Sequence, residues 1–359
     1  MKYRIIAMYL PQFHPIAEND EWWGAGFTEW TNVAKARPLF KYHYQPHIPA
    51  DLGFYDLRLP AVRQAQADMA AQYGIEGFCY WHYWFGHGKQ LLEKPFWEVL
   101  NSGQPNYPFC LSWANHSWKK KLWSQDGIGD KLLIEQLYPG ESDMVKHFQH
   151  LLPAFKDSRY IRVNNKPLFG VFAPLDHPQM QIFIKTWNKL ALESGLDGIY
   201  FVGHGNISNR EKILALGFDA FNDVPVFEIL HKENSLRQFF MKVRARLFNR
   251  PITYQYKDAM KYWCHKESIQ TNTIPTIIPN WDHSPRSGSK GVIFTNANPT
   301  LFKKHVTEVL NLIKDKPDEE RIAIIKSWNE WGEGNHMEPD LKYGKGHLEA
   351  LLDCLKFNI

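Results

Sequence analysis

Glu330 and Glu333 lie three residues apart in the run Lys326-Ser327-Trp328-Asn329-Glu330-Trp331-Gly332-Glu333-Gly334. An apolar stretch, 322–325, leads straight into them. Two carboxyl groups beside flat aromatic faces suit the chemistry of sugars. One carboxyl gives a proton to a departing glycosidic oxygen, and the other acts as nucleophile or base. Tryptophan rings offer apolar surface to the C–H faces of a pyranose. The alternative is an ordinary solvated acidic loop, so the choice rests on the rest of the chain.

Similar residues recur at a regular place. Tyr9, Gln12 and His14 close the first apolar run. His82, Tyr83 and Trp84 end the second, and Trp113, Asn115 and His116 end the third. His204 follows the fifth, Asn222 and Asp223 end the sixth, and Trp281 follows the seventh. Each has a functional and a structural reading. Asn115 and Asn329 suit sugar hydroxyls or fix loop backbones. Trp23, Trp30, Trp84, Trp113 and Trp281 stack on sugars or fill the core, and Tyr9 points into the mouth or packs a core layer. Glu29 is a further carboxylate with a salt bridge as its plainer role. Glu338, just past the glutamate pair, binds a neighbouring sugar or caps a turn. His14, His82, His116 and His204 show no close ligand spacing, so hydrogen bonding to hydroxyls is expected and a metal is not.

The elements that must position these groups follow from the apolar pattern. Strand-like runs occupy 4–10, 77–83, 109–114, 167–173, 199–203, 220–224, 276–280 and 321–327. Helical periodicity is clearest over 59–73 and 179–193, with start signals at Asp51, Glu141 and Ser208 and stops at Gly74 and Gly195. Eight strands alternating with helices predict an α/β protein of the (β/α)8 TIM-barrel class, with a doubly wound open sheet as the alternative. In a barrel the polar strand ends converge on one face, where active sites are built. Two connections, 11–55 and 226–274, exceed ordinary loop length and read as insertions after strands 1 and 6. No repeat or linker divides the chain, which predicts one domain over 1–359.

Composition is that of a soluble globular protein, with 14 tryptophans and a net charge of +4. No secretory leader is evident at the N-terminus, and no apolar run is long enough to span a membrane. The four cysteines are dispersed without a zinc or redox spacing. These features predict a cytoplasmic protein with reduced thiols. The charge is concentrated between Lys232 and Arg250, where Lys232, Arg237, Lys242, Arg244, Arg246 and Arg250 face one acid, Glu233. The remainder is near neutral, which argues against a nucleic-acid partner. Phe239, Phe240, Met241, Val243, Leu247 and Phe248 interleave with those bases. Such a helix lies either on an anionic membrane face or on the barrel flank.

Several strings carry a family resemblance. They are Tyr9-Leu10-Pro11-Gln12-Phe13-His14, Trp22-Trp23-Gly24, Gly26-Phe27-Thr28-Glu29-Trp30, Tyr44-Gln45-Pro46, 51–58, 77–85 and Trp113-Ala114-Asn115. Together they resemble the WbsX-type family, associated with bacterial O-antigen and other surface polysaccharides. That family is similar to glycoside hydrolase family 99, the endo-α-mannosidases and endo-α-mannanases. The resemblance implies a barrel whose catalytic glutamates stand in a Glu-Trp-His-Glu string after the last strand. Here the string is Glu330-Trp331-Gly332-Glu333, with Gly332 in place of the histidine. It further implies retention through a 1,2-anhydro sugar. Glu330 would take the proton of the sugar 2-hydroxyl, and Glu333 would protonate the leaving oxygen. A raised Glu333 pKa, from packing on Trp331, is expected on that scheme. No cofactor is implied.

The sequence reading is therefore a carbohydrate-active enzyme acting with retention in O-antigen or lipopolysaccharide metabolism, on an oligo- or polysaccharide. A nucleotide-sugar-dependent glycosyltransferase and a non-catalytic glycan-binding barrel are its rivals. No phosphate-cradling glycine loop speaks for the first.

Overall fold

A computed structural model describes residues 3–120, 131–232 and 235–357. Eight parallel barrel strands run in chain order: β1 (Arg4–Tyr9), β2 (Gly77–Trp84), β3 (Phe109–Trp113), β4 (Lys166–Val171), β5 (Tyr200–Gly205), β6 (Ala220–Asp223), β7 (in two pieces, Thr273–Ile274 and Thr276–Ile277) and β8 (Ile322–Ile325). Each strand pairs with its sequence neighbours, and β1 lies between β8 and β2. The first piece of β7 pairs with β6 and the second with β8. Only Pro275 separates the pieces, so the strand path returns on itself as a barrel. Proline has no N–H to give the ladder, which explains the break there.

The strands are almost wholly buried because helices cover the outer face of the barrel. Helices Glu141–Lys156 and Met180–Glu193 illustrate the packing. Trp187, fully buried, meets Phe169 of β4 at a ring separation of 4.8 Å. Glu141 begins a helix as expected, and Gly74 and Gly195 follow helix ends. Asp51 instead lies in a turn, and Ser208 in a single 3-10 turn, Ile207–Asn209.

The long connection after β1 holds two short helices, Ala17–Trp23 and Glu29–Lys35. The one after β6 holds helix Ser235–Phe248 and strand Ile252–Gln255, which pairs in parallel with Val292–Thr295. Glu233, in the basic stretch, lies outside the described residues. No helix among the described residues is long and apolar enough to cross a membrane.

Candidate functional site

The loop after β8 is held by its own polar groups. The Glu330 N–H donates to Ser327 Oγ at 2.8 Å, and Ser327 Oγ donates to the Asn335 carbonyl at 2.8 Å. Asn329 and Glu330 pair with His336 and Asn335 as a short antiparallel ladder. The Asn329 amide also clasps the backbone at the end of β1. Its Oδ1 accepts from Leu10 N at 2.7 Å, and its Nδ2 donates to Leu10 O at 3.0 Å. Asn329 thus fixes backbone, and the loop presents Glu330 and Glu333 at the C-terminal mouth of the barrel.

Five charged side chains alternate in sign across that mouth. Arg286 Nε donates to Glu29 Oε1 at 2.9 Å, and Arg286 Nη1 to Glu333 Oε1 at 2.7 Å. Lys326 Nζ stands 3.7 Å from Glu333 Oε2 and donates to Glu330 Oε2 at 3.1 Å. The order is Glu29, Arg286, Glu333, Lys326, Glu330. Three carboxyl groups face two cations, so one proton on a carboxyl would balance the set. Glu333 Oε2 is buried without a hydrogen-bond partner. His283 Nε2 lies 3.8 Å from Glu333 Oε1.

Burial and the neighbouring Glu333 charge push the Glu330 pKa above the ordinary carboxylate value, against the pull of Lys326 and Arg286. Burial also disfavours the Lys326 and Arg286 cations, but the surrounding carboxylates overcome it and hold both pKa values up. Tyr83 is buried within reach of the same charges. Burial and then Glu330 raise its phenol pKa.

Gly332 makes this arrangement possible. A Cβ there would overlap the Glu29 carboxylate and come within 2.9 Å of Arg286 Nε. The space of the missing side chain is filled by the Glu29–Arg286 pair, reaching in from the first insertion and from the loop after β7.

Other anticipated residues take different places. Trp281 lies under Lys326, whose Nζ is 5.5 Å from its ring centre. His204 bonds Ser112 Oγ at 2.9 Å and Asn222 Oδ1 at 2.7 Å inside the barrel. Gly170 leaves room for this contact, since a Cβ there would stand 2.5 Å from Ser112 Oγ. Trp331 is buried, stacked on His336 at 3.7 Å, and donates its indole N–H to Glu338 at 2.6 Å. Glu338 also accepts from Tyr55 Oη and Gln66 Nε2, and burial raises its pKa to about 7. Tyr9 donates to Gln66 and packs on Phe78 and Tyr80.

Trp84 stacks on His147 and donates to Asp143, while Trp113 donates to Trp84 O. Both rings are core. His82 Nε2 is 2.8 Å from His147 Nε2. Asn115 clasps the Ala173 backbone much as Asn329 clasps Leu10. Trp30 donates to Tyr55 O and packs on Trp331. His14 is buried, Gln12 half-buried, and His116 rests against the exposed Phe172. Trp23 is 43 % exposed, stacked on Phe27.

Arg286 and Lys326 were absent from the residues anticipated from sequence. Lys326 had a signal, as the residue between β8 and the glutamates. Arg286 had none, because its partners are 47 and 257 residues away in sequence. Half-buried Trp81, 5.9 Å from His204 and 5.6 Å from Phe172, was also missed.

Residues 5–351 match the family model described as "Glycosyltransferase WbsX". The uncharacterised protein WxcX of Xanthomonas campestris pv. campestris (strain B100) is 35% identical over 358 residues, 98% of this chain. The match covers 49% of that relative, so the chain spans about half the length of the curated relatives it matches. Among solved structures, a GH99 endo-α-mannosidase from Bacteroides thetaiotaomicron superimposes with a TM-score of 0.59 at 13% identity. The match covers 99% of this chain and 97% of that one. A protein described as "Glycoside hydrolase-like protein" also gives 0.59, at 15% identity, over 99% and 94% of the two chains. These structures share the barrel fold. The chain belongs to the WbsX family.

Proposed function

We propose that this chain is a carbohydrate-active enzyme that breaks or exchanges glycosidic bonds in a bacterial surface polysaccharide or its lipid-linked precursor, with net retention. The observation that carries the reading is the five-residue charge series that holds Glu330 and Glu333 together at the barrel mouth. The WbsX membership and the endo-α-mannosidase likeness support a sugar substrate.

Glu330, buried and raised in pKa, is a strong base once ionised, and Lys326 at 3.1 Å favours that ionised form. It takes the proton of the sugar 2-hydroxyl as O2 attacks C1. The C1–O bond to the leaving group breaks, and Glu333 gives that oxygen its proton. Glu333 Oε1 is committed to Arg286, so its unpartnered Oε2 is the oxygen that carries the proton. The 1,2-anhydro sugar is then opened at C1 by an acceptor hydroxyl. Glu333 removes the acceptor's proton, and Glu330 returns one to O2. Two inversions give retention. Water as acceptor gives hydrolysis, and a sugar hydroxyl gives transfer. The basic segment 232–250 would bring the enzyme to an anionic membrane carrying the substrate.

The family's description as a glycosyltransferase favours one second reading, transfer from a nucleotide sugar. Incubation with surface polysaccharide and lipid-linked oligosaccharides, with and without nucleotide sugars, separates the two. Turnover without a nucleotide sugar supports the proposal. Turnover only with one moves the protein to the second reading. Glycan binding without turnover under either condition makes it a binding barrel.

A further inference from the structure

A group of metal-ligating side chains lies behind the glutamate loop, apart from the charges at the mouth. His47 comes from the first insertion, and His336 and Asp340 from the segment after the loop. All three are buried, and one ligating atom of each lies within 4.8 Å of the others. His47 Nδ1 stands 2.9 Å from His336 Nε2. His336 Nδ1 donates to the Glu338 carbonyl at 2.9 Å, which leaves Nε2 with a lone pair. A carbonyl behind the far ring nitrogen is the usual backing of a metal-bound imidazole.

The surroundings are short of partners. Asp340 Oδ1 accepts the Lys342 and Tyr343 N–H groups at 2.9 and 2.7 Å. Its carboxylate has no lysine or arginine ion pair among the described residues; Lys342 lies instead over the Tyr44 ring at 4.6 Å. Tyr44 is stacked on His47 at 4.4 Å, with its hydroxyl facing the Asp340 carboxylate. His347 has a buried Nε2 without a hydrogen-bond partner.

We propose that His47, His336 and Asp340 bind one divalent transition-metal ion of the zinc class. Nitrogen ligands around tetrahedral zinc stand about 3.3 Å apart, so the histidine pair opens by roughly 0.4 Å on binding. His47 moves its proton from Nδ1 to Nε2 on binding. Two imidazoles and one carboxylate suit zinc, nickel, cobalt or copper rather than magnesium or calcium. The ion would tie the first insertion to the segment after β8. Trp331, between the two glutamates, stacks on His336 at 3.7 Å, so the ion would buttress the loop that presents them.

The test uses the untagged full chain. Metal content is read by mass spectrometry on the protein as purified. The chelator-treated protein is titrated with zinc chloride by calorimetry, with magnesium chloride alongside. The expected result is about one zinc per chain, micromolar or tighter, with no magnesium binding and a melting temperature several degrees higher with zinc. Asp340→Asn keeps an oxygen for the two backbone N–H groups and should weaken zinc binding at least about 10-fold. His47→Gln should do the same. Wild-type protein that takes up no zinc at 100-fold molar excess would overturn the proposal. So would folded variants that bind as tightly as wild type. If neither variant folds, the wild-type stoichiometry decides. The readout is bound metal, so the result is independent of whether the chain acts on sugars.

Discussion

The Glu29 carboxylate occupies the space that any side chain at position 332 would need. The contact joins the first insertion to the glutamate loop, and it places Arg286 Nη1 2.7 Å from Glu333. From it follows a steric prediction. Gly332→Ala should cost about 1–3 kcal/mol by overpacking and should lower turnover by displacing Arg286. Gly332→Ala with Glu29→Ala should cost less than the sum of the single changes. Urea unfolding of the four proteins in a double-mutant cycle measures the coupling.

Glu29 also tempers the charge that Arg286 brings to Glu333. In Glu29→Gln the guanidinium loses one of its two carboxylate partners. The alkaline limb of the kcat profile should move to lower pH. A pH–rate series on wild type and variant reads this. A Glu29 that serves stability alone would change yield or melting temperature and leave the limb in place.

Glu338 predicts a pH dependence of stability. Its folded pKa is raised to about 7 from an ordinary value of 4.5, with burial as the main cause. The unfolded chain therefore ionises this group at lower pH than the folded chain does. Stability should fall as pH rises from about 4.5 to 7 and level off above, by about 3 kcal/mol from this group. Urea midpoints between pH 5 and pH 8 should show that fall in wild type. Glu338→Gln should flatten it, while losing some stability at pH 5 because an amide cannot accept from all three of its donors.

Asn329 predicts a structural cost that precedes any catalytic one. Asn329→Ala leaves the Leu10 N–H and C=O buried without partners. The expected loss is about 2–6 kcal/mol, since each stranded group costs about 1–3 kcal/mol. Asn329→Asp should recover part of it, because one carboxylate oxygen still accepts from Leu10 N. Thermal and urea unfolding give the ranking.

The eight barrel strands were legible because strands covered on both faces read as short apolar runs. Strand seven was read as 276–280 without its first piece, since Pro275 interrupts the run. The glutamate pair was legible because both residues share one loop. The aromatic residues at strand ends were harder. Successive side chains on a strand point to opposite faces, and composition does not say which face is open. Trp84, Trp113 and Trp281 are all buried in core clusters, and of the three Trp281 also lies against Lys326. Arg286 was invisible because only the folded chain brings it to Glu29 and Glu333. The expectation that burial against Trp331 would act on Glu333 met a different arrangement. Trp331 faces His336 and Glu338, and the upward shifts fall on Glu330 and Glu338.

On the proposed mechanism Glu330 and Glu333 act together on one glycosidic bond with retention. The most direct measurement is NMR of the anomeric configuration of the first products formed from surface polysaccharide or lipid-linked oligosaccharide, without nucleotide sugars. Wild type, Glu330→Gln and Glu333→Gln are compared. Retained configuration is expected in wild type, with turnover at least about 1,000-fold lower in each variant and folding intact. Inverted products, or a folded variant that keeps wild-type turnover, would contradict it.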